Sequence, residues 1–163
     1  MDGIPGHTVA ALVNGGNAGL VVEAIWKKKP PGIGTDGSIT RTVTDEAGNE
    51  HPVKFSRPSL LPVYYRIELT AYAGYDAEAV ELVLRSLLFD LTNSALEIGE
   101  ELIVPQLYGK IYQAAGEYAP TFAITSLSVS GSFGTKTDKV TPAWNQKLTL
   151  ANSDTDVTIV MSS

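Results

Sequence analysis

The sequence predicts an α+β fold in two small subdomains, residues 1–57 and 62–163. Three observations predict it. Apolar residues recur with period 2 in some segments and with helical period in others, and the two kinds are not strictly alternated along the chain. The pattern also stops at Arg57-Pro58-Ser59-Leu60-Leu61-Pro62, where two prolines favour extended backbone, and then restarts. Finally, 163 residues with 44% hydrophobic side chains are enough to bury a real core. The predicted order is β-α-β-β followed by β-α-α-β-β-β, with mixed or antiparallel sheets packed on helices.

Thr8 to Val13 is short, apolar and followed by glycine, as a buried strand should be. Asn14-Gly15-Gly16-Asn17 is a turn, and Asn17 is placed to cap the helix that follows. Leu20, Val21, Ala24 and Ile25 recur at helical spacing. Lys27, Lys28 and Lys29 suit the negative end of the helix dipole, and Pro30-Pro31-Gly32 ends the helix. Gly32 to Gly37 reads as a glycine-spaced loop. A β-hairpin follows, with Ser38–Thr44 and His51–Ser56 flanking the turn Asp45-Glu46-Ala47-Gly48-Asn49.

In the second subdomain, Val63, Tyr65, Ile67 and Leu69 alternate with polar neighbours. Asp76 is an N-cap, and Val80, Val83, Leu84, Leu87, Leu88 and Leu91 form a helical stripe. Pro105 sits at the start of a second helix facing inward through Leu107, Tyr108, Ile111, Tyr112 and Ala115, with Gly116 as its stop. Strands over 121–129, 146–151 and 156–161 close the chain, and 131–143 reads as a polar loop.

Composition excludes several functions. The formal net charge of -6 argues against a nucleic-acid binder, which needs a basic face to displace counterions. With no cysteine, there are no disulfides, thiolate metal sites or Cys nucleophiles. Met1 to Gly6 show no basic or apolar targeting pattern, and no apolar run approaches the ~20 residues of a membrane-spanning helix.

Four kinds of site are conceivable. A phosphate cradle on Gly32–Gly37 has the wrong order, because the loop follows a helix and enters a strand. Turn glycines needing positive φ are the simpler reading. Metal binding has only His7 and His51 plus loop carboxylates, without ligand spacing. Glu100-Glu101 read more simply as charges before a helix than as a glycosidase pair, and no Gly-x-Ser-x-Gly elbow exists. The fourth is a partner contact at Trp26, Lys27, Lys28 and Lys29, against the plainer reading of a solvated helix end with Trp26 in the core. No catalytic residue, metal or cofactor is assigned.

An ordered series of motifs carries a resemblance. It begins with Gly3-Ile4-Pro5-Gly6-His7-Thr8-Val9 and Val13-Asn14-Gly15-Gly16. Glu23-Ala24-Ile25-Trp26-Lys27-Lys28-Lys29 and Pro31-Gly32-Ile33-Gly34-Thr35-Asp36-Gly37 come next. Val43-Thr44-Asp45-Glu46-Ala47-Gly48-Asn49 then leads to Val53-Lys54-Phe55-Ser56-Arg57-Pro58. Ile98-Gly99-Glu100-Glu101 precedes Leu107-Tyr108 and Ile111-Tyr112. The series resembles the C-terminal part of baseplate J-like proteins of contractile-tailed phages and related injection systems, from Gly3 to about Ser130.

That resemblance implies a structural, non-enzymatic wedge component. Its partners would be other baseplate wedge and tail proteins, with self-association in the assembled baseplate. Its location would be the virion tail baseplate, and the host cytoplasm during assembly. The family's chains carry a further region ahead of the Ile-Pro motif, so the resemblance implies a shortened chain or a prophage remnant. The alternative is a small-ligand or phosphate-binding module using the loop 32–37.

Overall fold

The computed structural model describes residues 5–162, and the fold is α+β. Gly3 and Ile4 of the first motif lie outside the described residues. The chain divides into two compact units, Met1–Ser59 and Leu60–Ser163.

The first unit runs β1 (Thr8–Ala10), α1 (Ala18–Lys28), β2 (Gly34–Asp36), β3 (Ile39–Thr44) and β4 (Glu50–Phe55). Asn17 caps α1, its side chain accepting from the N–H groups of Gly19 and Leu20. The glycine segment is more than a loop. Gly34 to Asp36 pair in parallel with Thr8 to Ala10, so β1, α1 and β2 form a miniature crossover unit. Thr35, between Gly34 and Asp36, occupies the middle of this strand and supplies a hydroxyl that accepts from the Lys54 N–H at 2.8 Å. β3 and β4 form the expected antiparallel hairpin, with Val43 opposite His51 and Arg41 opposite Val53.

The core of this unit is small: Val22, Val43, Val53 and Phe55 are buried, with Ala18, Val21, Ile25 and Trp26 packed against them. The inward stripe of α1 is therefore rotated from the one expected. Leu20 is 66% exposed and Ala24 is also exposed, while Ala18, Val22 and Trp26 follow one another at intervals of four. Two overlapping apolar stripes fit the helix, and contact with the hairpin selects between them.

The second unit contains β5 (Ser59–Pro62), β6 (Tyr64–Ala71), α2 (Ala77–Asp90) and a π-turn at Leu91–Ala95. After it come β7 (Leu102–Ile103), α3 (Val104–Ala115), a 3₁₀ segment at Gly116–Thr121 and β8 (Phe122–Ser130). β9 (Lys139–Val140), β10 (Gln146–Thr149), α4 (Ser153–Asp156) and β11 (Val157–Met161) complete it. The main sheet has the order β11-β6-β8, parallel on one side of β6 and antiparallel on the other. β5 pairs with β10, and β7 with β9.

Tyr65, Ile67 and Leu69 point from β6 into a large core shared with Val80, Leu84 and Leu88 of α2 and Leu107 and Ile111 of α3. The 131–143 segment is not simply a polar loop, because it contributes β9 and the buried Val140. Glu100 and Glu101 precede α3 without entering its first turn. Glu100 instead accepts from the Glu97 N–H at 2.7 Å, and Glu101 from the Thr141 hydroxyl at 2.8 Å.

Polar anchors tie this core together. The Tyr65 hydroxyl meets the Thr92 hydroxyl at 2.6 Å, and burial pushes the Tyr65 pKa up to about 12. Asn93 uses its carboxamide as a stretch of strand backbone, donating to the Leu150 carbonyl and accepting from the Leu150 N–H, both at 3.0 Å. The buried Lys147 donates to the Leu96 carbonyl just beyond the π-turn, where a cation suits the end of a helix. Among the described residues, no helix is long and apolar enough to cross a membrane.

Candidate functional site

The four residues singled out at the end of α1 do not act alike. Lys27 and Lys28 are exposed in its last turn, and Lys29 is the C-cap residue. Trp26 is half-buried and stacks on the His51 ring of β4, with centroids 4.4 Å apart and planes 21° from parallel. The Lys29 ammonium lies 4.6 Å from the Trp26 ring centroid and donates to the Ile33 carbonyl at 2.9 Å. Trp26 and Lys29 are thus committed to internal contacts. Lys27 and Lys28 are left facing solvent.

Trp26 and Lys27 also line an open groove between α1 and β3. Its other walls are Glu23, Arg41 and the turn from Thr44 to Ala47. Charges of both signs therefore border it. Beside it, Asp45 accepts from His51 Nε2 at 2.8 Å and from the backbone N–H groups of Ala47 and Asn49. The His51 bond, helped by the Asn49 N–H, holds the Asp45 carboxyl down at about 2. Asp45 was legible as a turn former in the Asp-Glu-Ala-Gly-Asn pattern. Its bond to His51 was not, because it depends on hairpin register, which places Val43 opposite His51.

An Asp–His pair suggests half of a hydrolytic triad, but the arrangement lacks the other half. Among the described residues, no hydroxyl is hydrogen-bonded to the imidazole. Nor does any group of three or more His, Asp or Glu side chains there converge as metal ligands do. The groove is open, and charges of both signs line it.

The glycine segment is similarly occupied. The Gly34 N–H donates to the His7 carbonyl at 2.9 Å, and the Ile33 N–H to the Pro30 carbonyl at 3.3 Å. A phosphate cradle needs such N–H groups free and convergent.

What the motif residues do is hold the first unit together. The Arg57 guanidinium donates to the carbonyls of Val13, Gly15 and Gly16, and lies 5.0 Å over the Phe55 ring. The Val13 N–H donates to the Ser56 carbonyl at 3.0 Å, and the Ser56 N–H to the Ala11 carbonyl at 2.9 Å. Gly37 packs so closely on Phe55 that a Cβ there would stand 2.3–2.5 Å from the Phe55 backbone. Segments far apart in sequence, 13–16, 37 and 55–57, thus meet at one place. No protein-family model matches the chain, and no curated protein shows significant similarity to it.

Proposed function

We propose that this chain is a structural assembly subunit of a phage or prophage tail baseplate, corresponding to the C-terminal part of a baseplate J-like protein. The observation that carries the reading is that residues from the first three of its ordered motifs meet in one structural knot around Arg57, Phe55 and Gly37. Motifs of that kind preserve a shape. A catalytic family would instead spend its motif residues on a site. The reading assigns no catalysis and no cofactor. It assigns as partners the neighbouring wedge and tail proteins, in the virion tail baseplate and in the host cytoplasm during assembly. The exposed Lys27 and Lys28, beside the groove that Trp26 and Lys27 line, are the contact surface proposed for an acidic partner face.

Co-expression with the products of the flanking genes tests this. Retention of the chain by tail-tube or wedge proteins is expected, weakened by Lys27→Glu together with Lys28→Glu. Flanking genes for a metabolic pathway, with no retention by any tail protein, would remove the reading. The ligand-binding alternative predicts thermal stabilisation by saturating phosphate, nucleotides or sugars. The engaged N–H groups of Ile33 and Gly34 speak for no such shift.

A further inference from the structure

We propose that the outer edge of β11 is a self-pairing strand, by which two copies of this chain join antiparallel about a two-fold axis. The proposal rests on where the backbone hydrogen bonds of the main sheet go. β11 lies at one end of the order β11-β6-β8. Val160 is opposite Glu68, and the Ser162 N–H donates to the Leu69 carbonyl. That parity turns the backbone groups of Thr158, Val160 and Ser162 toward β6. It turns those of Val157, Ile159 and Met161 outward.

The two ends of the sheet are treated differently. On β8, the Ile124 N–H donates to the Tyr112 hydroxyl at 3.0 Å, and Val129 exchanges two backbone bonds of 2.9 Å with Thr137. On β11, the Val157 carbonyl is capped by Arg85 at 2.6 Å. Ile159 and Met161 have no such cap among the described residues. Sheets usually blunt an open edge with charge, proline or a bulge. Val157-Thr158-Ile159-Val160-Met161 has no charged residue and no proline, and its register with β6 is unbroken. Met161 is 46% exposed.

The chemistry of such an edge selects another strand, and its symmetry selects a second copy. The two uncapped residues flank Val160. In an antiparallel copy centred on Val160, Ile159 faces Met161 of the second copy and the reverse, with all four residues turning N–H and C=O toward the dyad. Four backbone bonds close. A two-fold axis repeats every side chain of the strand close to its copy, so any charge would stand near its own like. β11 carries none.

Sedimentation equilibrium of the chain from micromolar to millimolar concentration tests the pairing. A monomer–dimer equilibrium is expected. Met161→Lys sets two like charges across the axis from an exposed position, and should weaken the dimer at least ~10-fold without lowering the melting temperature of the dilute monomer. Ile159→Pro removes an outward N–H and spares the bonds to β6, so it should weaken the dimer as well, while its lost packing against the core lowers the monomer melting temperature. In the wild-type dimer, amide exchange at Ile159 and Met161 should slow relative to the monomer, while Thr158 and Val160 stay protected in both. A monomer at every concentration overturns the pairing. So does a dimer that Met161→Lys leaves equally tight, or one in which the Ile159 and Met161 amides exchange as fast as in the monomer. Any of these leaves the baseplate reading standing, since that is tested by retention on tail proteins.

Discussion

The two units solve the same problem with different means. The second buries a continuous core between a three-stranded sheet and the stripes of α2 and α3. Among the described residues, the first buries Val22, Val43, Val53 and Phe55, and supplements them with an arginine clamped on three carbonyls and a glycine pressed against a backbone. A large core tolerates exchange of one apolar residue for another, because volume and pattern suffice. A small one depends on particular atoms in particular places.

The contrast should be sharpest in core truncations. Phe55→Ala is expected to cost ~3–5 kcal/mol and Ile67→Ala ~2–5 kcal/mol. Read by segment-resolved amide exchange, Phe55→Ala should abolish protection across 8–55, since one of few buried side chains is gone. Ile67→Ala should lower protection in β6, β8 and α2 while leaving it measurable. Equal behaviour of the two would break the comparison.

Glycine substitutions sharpen it further, because they should differ in sign. Gly37→Ala drives a methyl into the Phe55 backbone and should cost about 3 kcal/mol, the upper end for overpacking. Gly109→Ala meets open space inside α3 and should stabilise by ~0.5–1 kcal/mol. Chemical denaturation of both variants checks this directly.

The polar anchors come next. Arg57→Lys keeps the charge but loses the fork that reaches Val13, Gly15 and Gly16, for a cost of ~1.5–3 kcal/mol. Asn93→Asp keeps the acceptor for the Leu150 N–H but sets a carboxylate against the Leu150 carbonyl, for ~1–3 kcal/mol. Exchange at 13–16 and at 148–150 would locate each loss.

The smallest effect is a pH dependence in the first unit. The Asp45 pKa is lowered from 3.8 to about 2, chiefly by the His51 bond. A carboxylate depressed in the folded state stabilises above its unfolded pKa. That contribution is lost as pH falls from about 3.8 to about 2. Asp45→Asn should flatten this part of the acid titration of the hairpin, followed by Trp26 fluorescence. An unchanged acid profile would show that the turn holds without the charge.

Periodicity along the chain was enough to locate β6, α2, α3 and the β3–β4 hairpin. Each is dictated by local rules: alternation, a stripe, a cap, a turn. Asn17 and Asp76 cap the helices they precede for the same reason. The candidate site was only partly legible. Trp26 and Lys27 were singled out, but neither the groove nor the Trp26–His51–Asp45 contact has a signal in sequence spacing. Those residues meet only once α1 packs on the hairpin.

Tertiary structure also decided which of two apolar stripes on α1 faces inward, since Leu20 and Val22 satisfy helical periodicity equally and only the hairpin distinguishes them. It made a strand of Gly34–Asp36 because β1 lay alongside to pair with it. It buried Lys147 where the carbonyl of Leu96 could receive it. Element type follows from neighbours a few residues away, so the amino-acid order carries it. Facing, pairing and burial follow from neighbours that are close in space and far along the chain, and only the folded molecule brings those together.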